Sequence, residues 1–344
     1  MILHYNVANC TKKHLEKHTD HLHSNWEFLF DQYKKFNVER IFPFIDRTYQ
    51  IPGYIKTKVF TPLPEYDQSF KKTFEEICRE RIEQLLSTEK NINLFWSGGL
   101  DSTTLLSLFL DYKDKVKVHL NYNSILESGY MFDTFVKPNF DYTVGTTTAY
   151  RKWKDDDVYL TGDPGNHLHT IPSIKSYENF IPGLNLFDKE NIHLLDDPYW
   201  KHIPEDKVLF YKPALDKAPR KIETLEDFIW FNTFNFRYDE SRFAMVVKLM
   251  QRWNITDVNM FDNIIGFFYT DDFQQWSIGR YEDQYDRSNF KKTIKLQMRK
   301  IMRKQFGPKG DEYVNNKGIV ESPIGLYPGN YLMLTDNLKI ICHD

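Results

Sequence analysis

The chain has 344 residues, which at about 100–200 residues per domain makes one large or two modest domains with ample chain for a core. Its 45 Lys and Arg against 48 Asp and Glu leave a net charge of −3, which excludes a basic nucleic-acid coat or an acidic disordered tail as a description of the whole. The unusual figure is an aromatic content of 16% beside only 15 Gly and 15 Pro, a composition of large side chains.

Cys10, Cys78 and Cys342 form no CxxC and no zinc-spaced cluster, so neither a disulfide framework nor a structural metal site is expected, and a reducing cytoplasm is the default compartment. The N-terminus turns polar early and no run approaches about 18 uncharged apolar residues, so neither secretion nor membrane insertion is expected. His14, His18, His21 and His23 invite a metal reading, but a solvated helix face is the expectation.

Residues 1–66 carry turn signals (Phe42-Pro43, Ile51-Pro52-Gly53, Thr61-Pro62-Leu63-Pro64) and no long periodic run, so they are expected to form a small irregular N-terminal region. From Ser69 to Leu86, Phe70, Phe74, Ile77, Cys78, Ile82, Leu85 and Leu86 recur at helical spacing. Asn91 to Trp96 is a short apolar run ending at a Ser-Gly-Gly turn, and Asp101 to Leu110 has helical length. Lys115 to Tyr122 alternates as a strand does. Strand, helix, strand is a βαβ unit, so the expected fold class is α/β with a doubly wound, mainly parallel sheet.

A further strand is expected at Asp157–Thr161. The proline-rich stretch 171–222, which includes Pro213, reads as loop. Helices are expected at 225–252, 271–277 and 291–306, forming a helical C-terminal portion, and 331–344 reads as a terminal hairpin. The main domain thus spans 67–330. In the last helix Ile294, Met298 and Ile301 mark a buried face, and Lys291, Lys292, Lys295, Arg299, Lys300, Arg303 and Lys304 a basic remainder expected to be solvated.

Ser97-Gly98-Gly99-Leu100-Asp101-Ser102-Thr103 lies between an expected strand and an expected helix. Adjacent glycines let backbone approach a phosphate, a helix N-terminus directs N–H groups and positive dipole outward, and the hydroxyls of Ser97, Ser102 and Thr103 add donors. An acid at the helix start repels phosphate unless it holds Mg²⁺, which makes Asp101 a candidate metal ligand. Neither the Walker lysine nor a GxGxxG spacing is present.

SGGLDST at 97–103 resembles the pyrophosphate-binding loop of the N-type ATP pyrophosphatases, the PP-loop superfamily. Two further segments resemble its asparagine-synthetase and β-lactam-synthetase branch: Thr161-Gly162-Asp163-Pro164-Gly165-Asn166-His167-Leu168, and Met260-Phe261-Asp262-Asn263 followed by Tyr269-Thr270-Asp271-Asp272-Phe273-Gln274-Gln275-Trp276. The resemblance implies an adenine nucleotide alpha hydrolase-like fold and ATP and Mg²⁺ as cofactors. The implied activity is AMP-forming ligation, in which a carboxylate acceptor is adenylated with release of pyrophosphate and then attacked by ammonia or a substrate amine.

The same resemblance makes Ser97–Thr103 and Gly162 the nucleotide-binding residues, Asp101, Asp163 and Asn166 the metal ligands, and Asp163 and Lys317 catalytic. Asn166 and His167 stand where the family has acids, a departure by which either Asp163 takes over the metal or metal affinity is reduced. Ile2, and the shortness of 1–66, leave no place for the family's glutaminase domain, so ammonia is expected from solution or a separate subunit. Two other readings use the same loop: adenylation of a nucleobase in nucleic-acid modification, and a nucleotide-binding module without turnover. Phe261, Phe267, Phe268, Tyr269, Phe273 and Trp276 are expected to line an acceptor pocket, and Phe228, Trp230, Phe231, Phe234 and Phe236 to be core.

Overall fold

The computed structural model describes residues 12–35, 45–56, 59–145, 154, 156–169, 191–239, 264–279, 285–286, 295–315, 331–334 and 340–343. The principal elements in chain order are α1 (Trp26–Lys35), α2 (Phe74–Leu86), β1 (Asn91–Trp96), α3 (Leu100–Leu108), β2 (Val116–Leu120), α4 (Tyr122–Glu127), β3 (Asp141–Val144), β4 (Asp157–Thr161) and α5 (Glu205–Leu215). They continue with α6 (Leu225–Phe236), β5 (Ile264–Gly266), α7 (Asp271–Gly279), α8 (Leu296–Phe306), α9 (Lys309–Asn315), β6 (Tyr331–Leu334) and β7 (Ile340–His343).

Five strands form one parallel sheet in the order β3-β2-β1-β4-β5, so the fold is α/β. Burial explains the parallel arrangement: Ile92, Leu94, Trp96, Val116, Val118, Leu120, Val158 and Leu160 are all inside. The chain runs outward from β1 through β2 to β3, then returns to the other side of β1 for β4 and β5. The carboxyl ends of β1 and β4 therefore flank the point where strand order reverses, the crevice in which open parallel sheets bind ligands. β6 and β7 pair antiparallel as a separate two-stranded ribbon.

Helix boundaries follow their caps. α2 begins at Phe74, beyond the expected Ser69, because Thr73 and Glu76 form a capping box that commits the chain to helix only there. α5 overturns the loop expected around Pro213: it runs from Glu205 to Leu215 and carries Pro213 in its last turn, so the backbone bond that proline removes falls where the helix is about to end. α6 is shorter than the expected 225–252. It ends at Phe236, with Arg237 as its C-cap, and Asp239 turns back to accept N–H bonds from Phe60 and Thr61.

Phe228, Trp230, Phe231, Phe234 and Phe236 are all buried, as the unphased aromatic run predicts. Residues 45–56 and 59–67 are fixed against α6 and α7. Buried Arg47 donates to the carbonyls of Thr61, Pro62 and Phe234 and to Gln274, with its guanidinium 4.3 Å from the Tyr238 ring centre. No helix among the described residues is long and apolar enough to cross a membrane.

Candidate functional site

Two glycine turns meet at the switch point. The first leaves β1 at Trp96 and enters α3 at Leu100, with Gly98 at φ 79°, a left-handed conformation that favours glycine. A Cβ at Gly98 would also stand 3.0 Å from the Ser124 carbonyl, and Ser128 donates its hydroxyl to the Gly98 carbonyl at 2.8 Å. The turn at the end of β2 thus closes over the loop. Gly99 is the N-cap of α3 and offers no side-chain bond, so the first-turn N–H groups of that helix have no acceptor supplied by the cap.

The hydroxyls expected as phosphate donors are partly committed elsewhere. Thr103 accepts the Trp96 indole N–H at 3.0 Å. Ser102 accepts the Ser97 N–H at 3.2 Å and lies 3.0 Å from the Ser97 hydroxyl, while Ser102 and Thr103 are both buried. These two side chains shape the loop from inside; Ser97 is the exposed hydroxyl.

The second turn, after β4, sits directly on the start of α3. A Cβ at Gly162 would come within 2.8 Å of the Ser102 nitrogen and 3.1 Å of Asp101 Cβ, and one at Gly165 would run into the Asp101 carboxylate. Only glycine permits this approach at both positions. The structure therefore brings Gly162, Asp163 and Asn166 beside the 97–103 loop. Asp163 accepts the Phe268 N–H through its carbonyl at 3.2 Å and joins Pro164 through a cis peptide bond. Asn166 is exposed. Lys317 and the 260–263 segment lie outside the described residues.

Lys295, expected on the solvated side of the basic helix, is instead 6% exposed and forms an ion pair with Asp101 Oδ2. Its spacing, three before Met298 and seven before Met302, is shared by Lys291 with Ile294 and Met298, so the sequence alone did not single it out. It caps α8 with φ 57°, an uncommon backbone for a lysine. Asp101 Oδ1 is buried and accepts no hydrogen bond.

Two of the residues assigned to the Mg²⁺ centre that the family resemblance implies do not fit it as they stand: one Asp101 oxygen already faces an ammonium, and Asn166 is exposed.

The aromatic residues expected around an acceptor belong to the core. Phe267, Phe268, Phe273 and Trp276 are buried, and Phe74 packs against Phe268, Phe273 and Trp276 at centroid distances of 6.0, 5.4 and 4.8 Å. The half-buried Tyr269 donates its hydroxyl to the Tyr238 carbonyl. Phe261 lies outside the described residues. A flat or apolar acceptor therefore loses its support. His169 is buried between Phe74 and Trp276 with neither ring nitrogen hydrogen-bonded, and burial, reinforced by nearby Lys295, pushes its imidazole well below the ordinary range. His167 is pushed down as well, first by burial and then by Arg237.

No protein-family model matches the chain, and no curated protein sequence matches it.

Proposed function

We propose that this chain is an ATP-dependent, AMP-forming carbon–nitrogen ligase built on an adenine nucleotide alpha hydrolase-like fold. The observation that carries the reading is positional. SGGLDST and the Gly162–Leu168 turn, far apart in sequence, interlock at the switch point of a parallel sheet, with an uncapped helix N-terminus facing the crevice.

In the proposed reaction an acceptor carboxylate oxygen attacks Pα of ATP in line, the Pα–O bond to the β-phosphate breaks, and pyrophosphate leaves. Ammonia or an amine then attacks the acyl carbon of the adenylate; AMP leaves, and the proton lost by nitrogen passes to solvent. The first-turn N–H groups of α3 and the Gly98 amide hold the departing pyrophosphate, which stabilises charge where it develops. The interlocked Gly162 and Gly165 fix the loop in that shape before substrate arrives.

Incubating the protein with ATP and a panel of carboxylate acceptors and amines, and quantifying nucleotide products, tests the reading. AMP and pyrophosphate in equal amounts, dependent on an acceptor, are expected. Release of ADP and phosphate, or tight ATP binding with no pyrophosphate from any acceptor, refutes it.

A further inference from the structure

We infer that Lys295 is the resident counter-charge of the 97–103 loop and lets it bind a pyrophosphate group without a divalent cation. The inference rests on the phosphate-site reading above and adds how that site is neutralised. Its starting point is an electrostatic conflict. Asp101 occupies the first turn of α3, where the free N–H groups and the positive end of the helix dipole would otherwise attract an anion. An unneutralised carboxylate there would repel every phosphate oxygen that approached.

The usual remedy is a metal bridging carboxylate and phosphate, but here a cation of the chain itself stands at the carboxylate. The ammonium of Lys295 already lies against Asp101 Oδ2. At 6% and 18% side-chain exposure the two charges are largely out of water. A lysine is seldom so buried unless paired, and such a pair adds little stability over an apolar replacement. Its location, with the ammonium against the carboxylate at the start of α3, points to a use in binding.

With Asp101 neutralised, the loop presents a helix N-terminus and the Gly98 amide to the ligand with no opposing charge; the Gly99 amide already donates to the Ser97 hydroxyl at 3.3 Å. An ammonium is a compact point charge with three donors, suited to accompany a phosphate group as well as a carboxylate. Gly165 leaves room for the Asp101 carboxylate in this position, since any side chain there would occupy the same space.

The test is calorimetric titration of the full chain with inorganic pyrophosphate, once in EDTA and once in excess Mg²⁺. Wild type is expected to bind in EDTA within about threefold of its affinity in Mg²⁺. Lys295→Gln is expected to lose about tenfold or more in EDTA, the loss of a charge-assisted contact, and to recover in Mg²⁺ because Asp101 is then free to take a cation. Lys295→Arg, which keeps the charge, is expected to retain metal-independent binding.

Wild-type binding that disappears in EDTA overturns the inference and leaves the phosphate site standing. A Lys295→Gln protein that folds and binds as wild type in EDTA overturns it too. If that variant does not fold, the wild-type comparison and Lys295→Arg decide. Absence of binding in both buffers overturns the phosphate-site reading and the inference with it.

Discussion

Acidification is expected to destabilise this protein through His119, in the centre of the sheet. The imidazole belongs to a chain of hydrogen bonds that crosses four strands. Asn93 Nδ2 donates to Asp157 Oδ2 at 3.1 Å, His119 Nε2 donates to Asn93 Oδ1 at 2.8 Å, and Thr143 Oγ1 donates to His119 Nδ1 at 2.6 Å. The first bond orients the Asn93 amide, and the amide oxygen in turn requires the proton on Nε2. A second proton on Nδ1 would face a hydroxyl that is already donating.

Burial, then the nearby Lys117, lower the His119 pKa from 6.5 to about 4, against opposing effects of Asp141 and Asp157. The unfolded chain therefore takes up this proton first as pH falls, so the contribution is whole above about pH 6.5 and is lost progressively down to about pH 4. At about 1.4 kcal/mol per tenfold change in proton affinity, the loss is about 2 kcal/mol at pH 5 and about 3 kcal/mol in the acid limit. Urea unfolding of wild type and His119→Gln at neutral pH and at about pH 5 isolates the effect, because His167 and His169 remain in both proteins. The wild type is expected to lose about 2 kcal/mol more than the variant between the two conditions. Parallel pH dependences, within about 0.5 kcal/mol, would refute the argument.

Gly165→Ala forces a methyl group into the Asp101 carboxylate; about 1–3 kcal/mol of stability and at least about tenfold in pyrophosphate affinity should be lost, read by urea unfolding and calorimetry. Arg47→Met removes donors to three carbonyls and Gln274 in a buried position, and should cost about 3 kcal/mol in the same unfolding assay. Thr73→Ala breaks the α2 capping box and should cost about 1 kcal/mol while leaving pyrophosphate affinity unchanged, which separates stability from binding.

The sheet was legible in the sequence because its strands are short apolar runs punctuated by glycine turns; β1 and β4 have the ends that Asn91–Trp96 and Asp157–Thr161 suggested. Helix ends were less legible where the deciding contact is distant. Nothing in the run after Phe236 announces a stop, and the turn there serves Asp239, whose partners are Phe60 and Thr61. Composition misled twice. A row of lysines and arginines hid Lys295, which is buried against Asp101. Aromatics beside a motif suggested a pocket, although their own hydrophobicity packs them together around Phe74. The interlocking of the two glycine turns could be inferred from the motifs only as a shared location; the contacts that require Gly162 and Gly165 depend on the strand order.

That interlocking also constrains how the chain can change over generations. Asp101 is shaped from outside by glycines of another segment, so a side chain gained at 162 or 165 is tolerated only if the first loop has already moved. The two motifs are one heritable object divided between two stretches of chain. Descendants of this sequence that abandon one are expected to have abandoned both.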